Sequence, residues 1–404
     1  MRFFHACTVP LVVVAVCADF ALAGDWLHYR GPRRDGTALE RWSPPGRGSA
    51  LREAWRTGVG VGTSSVTVAG SRLYTAGHFA GKETVQCLDA ASGRVLWKFA
   101  HPVALDPNLF EGGSRSTPTL SKEGVYVLSH EGHLHCLHPE TGAVLWEKHL
   151  VRDFGGRKPE WGFSGAPLVE GERLIVDAGG ASGSTLALHR TDGRLLWKSG
   201  SEPAGYAAPV ILPLDPEPAL VVFKAGSLVG YQPDTGKPLW SFPWETSYQI
   251  NAATPLLVGK DTLLISSGYN TGAALVSVAQ GKATQVWRNK SLRAHINSPV
   301  LSGDFVFGID GNTGGGNLVC LNALTGEKRW EEKSVKGGAL IAVGGVLVIV
   351  SEKGDLVVAE ASPDGFRQLH RQSVLKNRTW AQPVLAHGRL YLRDNLGTLV
   401  CLVP

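Results

Sequence analysis

Four histidines fall within one short segment, His130, His133, His135 and His138 of SHEGHLHCLHPETG. Imidazole suits both transition-metal ligation and proton transfer near neutral pH. Side chains alternate across an extended strand, so His133 and His135 share a face and could form a metal pair. The slots matching His135 in neighbouring repeats hold Gln86 and Leu186, as a varied strand position would, and no metal centre is expected. Asp310-Gly311-Asn312-Thr313-Gly314 begins like a calcium loop, but Gly315, Gly316 and Asn317 follow and no acidic ligand closes the oxygen cage. A long hairpin is the better account. Neither a Ser-His-Asp pattern nor a nucleophile elbow occurs, and no catalytic residue is assigned.

The chain has 404 residues and six cysteines. Cys7 and Cys17 lie in an amino-terminal segment that reads as a signal peptide over residues 1–23: Arg2, an apolar run from Val9 to Val16, and an Ala21-Leu22-Ala23 cleavage site before Gly24. The run is too short for a transmembrane anchor, and Val16 before Cys17 is a poor lipid-attachment context. An exported, periplasmic or secreted protein is expected. Export favours disulfides, yet Cys87, Cys136, Cys320 and Cys401 occupy one repeated slot that elsewhere holds Ala187, Gly230 and Ala359. A slot that accepts Cys, Ala and Gly is a tight packing site, so buried free thiols are preferred over disulfides. The net charge of +5 is not gathered into runs and does not point to nucleic acid.

The elements that must position any site come from a repeat. Six segments end alike: SGRVLW at Trp97, TGAVLW at Trp146, DGRLLW at Trp197, TGKPLW at Trp240, GKATQVW at Trp287 and TGEKRW at Trp330. Spacings of 43 to 51 residues between them suit one four-stranded antiparallel sheet per repeat, closed into a ring. An all-β, eight-bladed β-propeller over residues 51–404 is predicted, with seven blades as the competitor. The blades fall near 59–97, 113–146, 161–197, 203–240, 247–287, 293–330, 336–371 and 376–404. The seventh carries DGFRQLH to His370 in place of the tryptophan phrase, and the eighth stops after GTLVCLVP without an outer strand. The segment LREAWRT, with Trp55, is expected to supply that strand and remove the open edge. Whether the 24–50 extension packs on the ring or hangs free is left open.

The phrase TG-x-x-LW after a hairpin of the form G-x-L-x-C-L resembles the pyrroloquinoline-quinone (PQQ) repeat shared by quinoprotein dehydrogenases and BamB, a subunit of the outer-membrane assembly machinery. Asp25-Trp26, Tyr29-Arg30-Gly31-Pro32 and Asp35-Gly36 resemble the start of exported bacterial PQQ-binding-like propellers. The resemblance covers about residues 25–404 and implies two functions. The BamB branch implies a noncatalytic exported scaffold, expected to be a monomer, that binds a protein or peptide partner. The alternative is a PQQ-dependent dehydrogenase with calcium, whose quinone rests on vicinal cysteines; no two cysteines here are adjacent. No cofactor is therefore expected. In propellers the loops entering the innermost strands line one mouth of the channel, and loops on rigid scaffolds collect binding residues. Counting back from the strand-opening prolines gives Arg115, Trp161, Phe163, Tyr206, Tyr248, Asn251, His295, Asn297, Arg378 and Trp380 as candidate partner-binding residues. Aromatics with polar edges, arginine and asparagine suit such anchoring.

Overall fold

In the computed structural model, which describes residues 24–46, 49–107 and 110–404, the chain folds into eight four-stranded antiparallel sheets. The expected leader over residues 1–23 lies outside the described residues. Blades 1 to 7 each take four consecutive strands. Blade 8 has only three of its own, Val384–Ala386, Arg389–Arg393 and Thr398–Val403, and its fourth is Arg52–Gly58, antiparallel to Thr398–Val403. Eight blades, not seven, close the ring.

The repeated phrase is explained by what its two fixed residues touch. Each tryptophan lies at a register slip in the outer strand, as at Cys87/Leu88 opposite Trp97, a bulge that turns the indole out of its own sheet toward the next blade. In five of the six its Nε1 donates there to a carbonyl just before the next turn, as Trp97 does to Pro139 at 2.9 Å, Trp146 to Arg190 at 2.9 Å and Trp287 to Ala323 at 3.1 Å. At five of the interfaces the turn glycine lies against the ring that crosses to it. At Gly142, with φ of 73°, a Cβ would sit 2.5 Å from the Trp97 indole, and Gly93, Gly193 and Gly236 meet Trp55, Trp146 and Trp197 in the same way. Only glycine offers both the left-handed backbone and the space. Opposite every one of these tryptophans but Trp287, which faces Leu275, a small residue keeps the ring seated; Cys87, Cys136, Cys320 and Cys401 fill that role and are buried and free.

Blade 7 differs from expectation in one detail. His370 pairs with Val358, and Ala359 lies one step beyond, because the bulge falls between them. The outer strand Gln368–Ser373 forms without its tryptophan.

The seam between blades 8 and 1 carries extra ties. The buried Arg393 guanidinium donates to Thr75 Oγ1 and Ala76 O at 2.7 Å and to Gly60 O at 2.9 Å, all on blade 1 or its entry. Burial pulls its pKa down to about 9. Trp55 Nε1 and the Tyr391 hydroxyl both donate to Ala90 O at 3.1 Å.

The extension packs on the ring. Trp26 exchanges backbone hydrogen bonds with Val68 of blade 1 at 2.8 and 2.9 Å, and Leu27 accepts from Leu120 of blade 2. The Arg30 side chain, 1 % exposed, donates to Pro299 O of blade 6 at 2.6 Å. Gly36 and Ala38 then bond to both backbone groups of Ala342 in blade 7, and Glu40 accepts from Gly388 of blade 8. Residues 24–40 thus form a strap across one end of the central channel, bonded to its innermost strands. The Trp26 indole is buried in the apolar cluster of blades 7, 8 and 1, and one Arg30 guanidinium nitrogen bonds the carbonyls of Asp35 and Pro299 at 2.6 Å, tying the strap's own turn to the ring.

Candidate functional site

Because the strap closes one end, the other mouth is a cup. Its cavity of about 350 Å³ is lined by residues that precede the innermost strands, among them Arg115, Trp161, Tyr206, His295, Asn297 and Trp380, and Tyr29 of the strap contributes to its floor. The cup's lining sets the rings of Tyr29, Phe110, Trp161, Tyr206, Tyr269 and Trp380 among small and polar side chains, a composition suited to recognising both shape and orientation.

Three groupings organise the walls. Phe110 and Trp380 meet edge to face with centroids 4.7 Å apart, and the Arg378 guanidinium lies 5.2 Å from both rings. Arg378 is held by Glu111 at 2.9 Å, and Trp380 Nε1 donates to Glu352 at 2.9 Å. In the second grouping, Arg115 donates to the Trp161 carbonyl and, at 3.2 Å, to Asp106 O. Burial draws the Arg115 pKa below its usual value, against the pull of Asp106. The Tyr206 hydroxyl accepts from Trp161 N at 3.3 Å, and burial raises that phenol's pKa to about 12. In the third, Tyr269 packs edge-on to His295 at 4.8 Å. His295 Nδ1 accepts from Thr313 N at 3.2 Å, so its proton sits on Nε2, and burial lowers its pKa to about 4.

Six of the ten sequence-derived residues line the cup: Arg115, Trp161, Tyr206, His295, Asn297 and Trp380. Arg378 buttresses the rim through its ring contacts. The remaining three are placed elsewhere. Phe163 is buried between blades 2 and 3, where Phe163 N donates to His130 O at 2.9 Å and the ring covers Gly132. Asn251 is fully buried: its amide donates to the carbonyls of Lys224, Ala225 and Trp244, and its Oδ1 accepts from Ser267 at 2.7 Å. Tyr248 has left-handed backbone, φ 62°, which turns it outward; it is 67 % exposed and packs on Tyr269 outside the cup. Phe110, Tyr269 and Tyr29 were missed, since none stands at a fixed offset from a strand-opening proline.

The family described as outer membrane protein assembly factor BamB matches residues 81–332, more than half the chain. The chain belongs to the BamB family. BamB of Shewanella oneidensis is 24 % identical over 340 residues, covering 79 % of this chain and 81 % of that protein. The crystal structure of BamB from Moraxella catarrhalis superposes with a TM-score of 0.64 at 17 % identity, over 88 % of this chain and 98 % of that one. A quinohemoprotein alcohol dehydrogenase from Comamonas testosteroni shares the fold with a TM-score of 0.68 at 15 % identity, over 94 % of this chain and 80 % of that one.

The quinone alternative can be tested on this BamB-family cup. Its carboxylate Glu111 is engaged by Arg378 at 2.9 Å and by Asn395 at 3.2 Å. The described cysteines lie in the blades opposite the outer indoles, far along each strand from the mouth. Vicinal cysteines and an uncommitted set of calcium oxygens are what that group would need, and the cup's residues do not fit it. Trp161 Nε1 and His295 Nε2 are buried without a hydrogen-bond partner. They are donors to which an entering acceptor group could bond. Among the described residues, no helix is long and apolar enough to cross a membrane.

Proposed function

We propose that this chain is an exported, noncatalytic scaffold that works in the periplasm as a monomer and receives a protein or peptide partner in its aromatic cup. Membership of the BamB family carries the proposal, and the relatives' description as outer membrane assembly factors makes an unfolded or assembling outer-membrane chain the partner class. The cup supports it physically. Rigid aromatics lose little conformational entropy on binding, and Trp, Tyr and Arg are the side chains that dominate interface energetics. The charged groups of the cup are paired with one another, which leaves faces and N–H donors for a partner rather than a nucleophile and its base.

The test is capture. Mature protein and an Arg115→Ala/Trp161→Ala/Trp380→Ala variant are used to retrieve partners from periplasmic extract, with equilibrium binding of PQQ plus calcium measured in parallel. Recovery of outer-membrane assembly components by the parent and their loss from the variant is the expected result. Equal recovery by both moves the binding surface off the cup, and saturable quinone binding with dye-linked turnover replaces the scaffold by an enzyme. Amino-terminal sequencing of the exported protein should begin at Gly24, which defines the 24–50 extension and the 51–404 ring as the mature chain.

A further inference from the structure

The His133/His135 pair, which reads in sequence as ordinary strand positions, forms two of the three members of a largely buried cluster between blades 1 and 2. His101 lies on the outer strand Val95–Pro102 of blade 1, and His133 and His135 lie on the third strand His133–Leu137 of blade 2. The His101 ring centre is 4.5 Å from that of His135 and 5.2 Å from that of His133, and the latter two are 6.2 Å apart. His101 and His135 are buried, at 9 % and 3 % exposure, and neither ring nitrogen of His101 has a hydrogen-bond partner. Two histidines at i and i+2 on one strand, faced by a third from a neighbouring strand, is an arrangement in which three imidazoles can converge.

We infer that His101, His133 and His135 form a binding site for a divalent transition-metal ion of the zinc class. With Zn–N bonds of about 2.0–2.1 Å, imidazoles on one tetrahedral ion hold their ring centres about 5 Å apart. The three observed separations bracket that value, so the backbone already sets the spacing. What remains is rotation about χ2, a broad and soft torsion in histidine. The fourth position faces the Glu147 carboxylate, 3.6 Å from His135 Nε2 and mostly exposed, which gives the ion a path from solvent. His149 stacks edge-on to His133 at 4.5 Å and accepts from Arg152 N; it steadies the ring of His133 rather than joining the ligands.

A second cluster nearby, Asp106, His130 and Glu131, is the weaker candidate. Asp106 pairs with Arg115 at 3.4 Å and Glu131 with Lys158 at 2.9 Å, so its carboxylates are already neutralised and two cations would repel an incoming one. Among the described residues no cation is bonded to the triad's rings; Arg152 acts on His133 only at a distance.

The test uses the untagged mature chain, stripped with a chelator and titrated with Co²⁺, followed by Zn²⁺ in competition. The expected result is saturation at one Co²⁺ per chain with the intense visible bands of a four-coordinate site, and displacement by Zn²⁺. His101→Gln and His135→Gln should each weaken binding at least about tenfold, whereas His138→Gln leaves it unchanged. Circular dichroism confirms that the variants are folded, and the half-buried His133→Gln serves if either is not. The inference is overturned by the absence of stoichiometric binding, by equal affinity in the parent and in the folded variants, or by dependence on Asp106→Asn instead of the triad. None of these readouts depends on the cup, so failure here leaves the scaffold proposal standing, and the reverse holds.

Discussion

The outer girdle of the ring and the space between its inner parts are built on opposite plans. Around the girdle one contact recurs: an indole crosses to the next blade, donates to a carbonyl and covers a turn glycine, as Trp97 does with Pro139 and Gly142 and Trp146 does with Arg190 and Gly193. In the cup and in the histidine cluster between blades 1 and 2 no contact recurs. Arg115, Trp161, Tyr269, His295 and Trp380 come from five different blades and make five different sets of bonds. Repetition marks what every blade needs in order to stand beside its neighbour, and departure from it marks where one blade does something the others do not.

The largest effect expected from that contrast is on the girdle. Trp146→Ala removes a bulky ring from an interface it shares with Tyr126 and Gly193 and should cost about 3–5 kcal/mol, measured by denaturant unfolding, while a folded variant keeps cup binding intact. If Trp146→Ala abolished binding at unchanged stability, the division of labour would be wrong. Next comes Arg393→Met at the closing seam. It leaves the carbonyls of Gly60, Ser64 and Ala76 without their donor, and orphaned buried acceptors cost about 1–3 kcal/mol each. A loss of at least about 2 kcal/mol is expected, concentrated by hydrogen exchange in blades 8 and 1. Uniform loss of protection around the ring would assign the arginine no special part in closure.

How much of this was legible follows from the same contrast. The ring, its eight blades and the borrowed Arg52–Gly58 strand could be read because the same geometry places a tryptophan against a turn glycine at most of the interfaces. The cup was legible in part: a residue just before a strand-opening proline sits near the mouth, but whether it faces inward depends on local bonds. Asn251 was turned aside by four hydrogen bonds within blades 4 and 5, and Phe163 by a bonded backbone against His130. Tyr29 was invisible as a floor residue because nothing in the Arg-, Gly- and Pro-rich extension says that it crosses the channel. His101 was missed because its partners lie in the next blade, and the outer strand that carries it is marked only by Trp97.

A smaller effect separates the seam from the girdle by pH. Burial lowers the pKa of His101 to about 3 and of His130, His135 and His295 to about 4, and raises that of Glu83 to about 8. Between pH 6.5 and 4 the unfolded chain takes up protons on these histidines that the folded chain refuses, so stability falls as pH drops. Each histidine contributes up to about 1.4 kcal/mol per pH unit. Glu83 works in the opposite sense: the folded chain keeps its proton from pH 4.5 to 8 while the unfolded chain has lost it, so stability falls as pH rises. His28 and His133 shift the same way as the four histidines, and Glu40 and Asp177 the same way as Glu83, so the histidines dominate on the acid side and the acid limb is the steeper one. Glu83→Gln should flatten the alkaline limb of a Tm profile and His101→Gln should make the acid limb shallower. An unchanged profile in both would mean that the seam is solvated and its groups titrate normally.

The smallest effect on stability should come from the cup itself. Trp380 is partly exposed, its Nε1 bonded to Glu352 and its ring set against Phe110 and Arg378. Truncating it loses one edge-to-face contact and one cation–π contact, together about 1–2 kcal/mol, and opens the wall to water rather than leaving a sealed void. The cavity penalty that makes Trp146→Ala costly is therefore absent. Trp380→Ala should keep most of the parent's unfolding free energy yet lose partner capture as fully as the triple variant does. Tyr248→Ala, removed from the outer face beside Tyr269, should change neither. If Trp380→Ala instead unfolds the protein as readily as Trp146→Ala, the aromatic wall is part of the framework, and the search for the partner's contact belongs on the outer face of blade 5 where Tyr248 and Tyr269 meet.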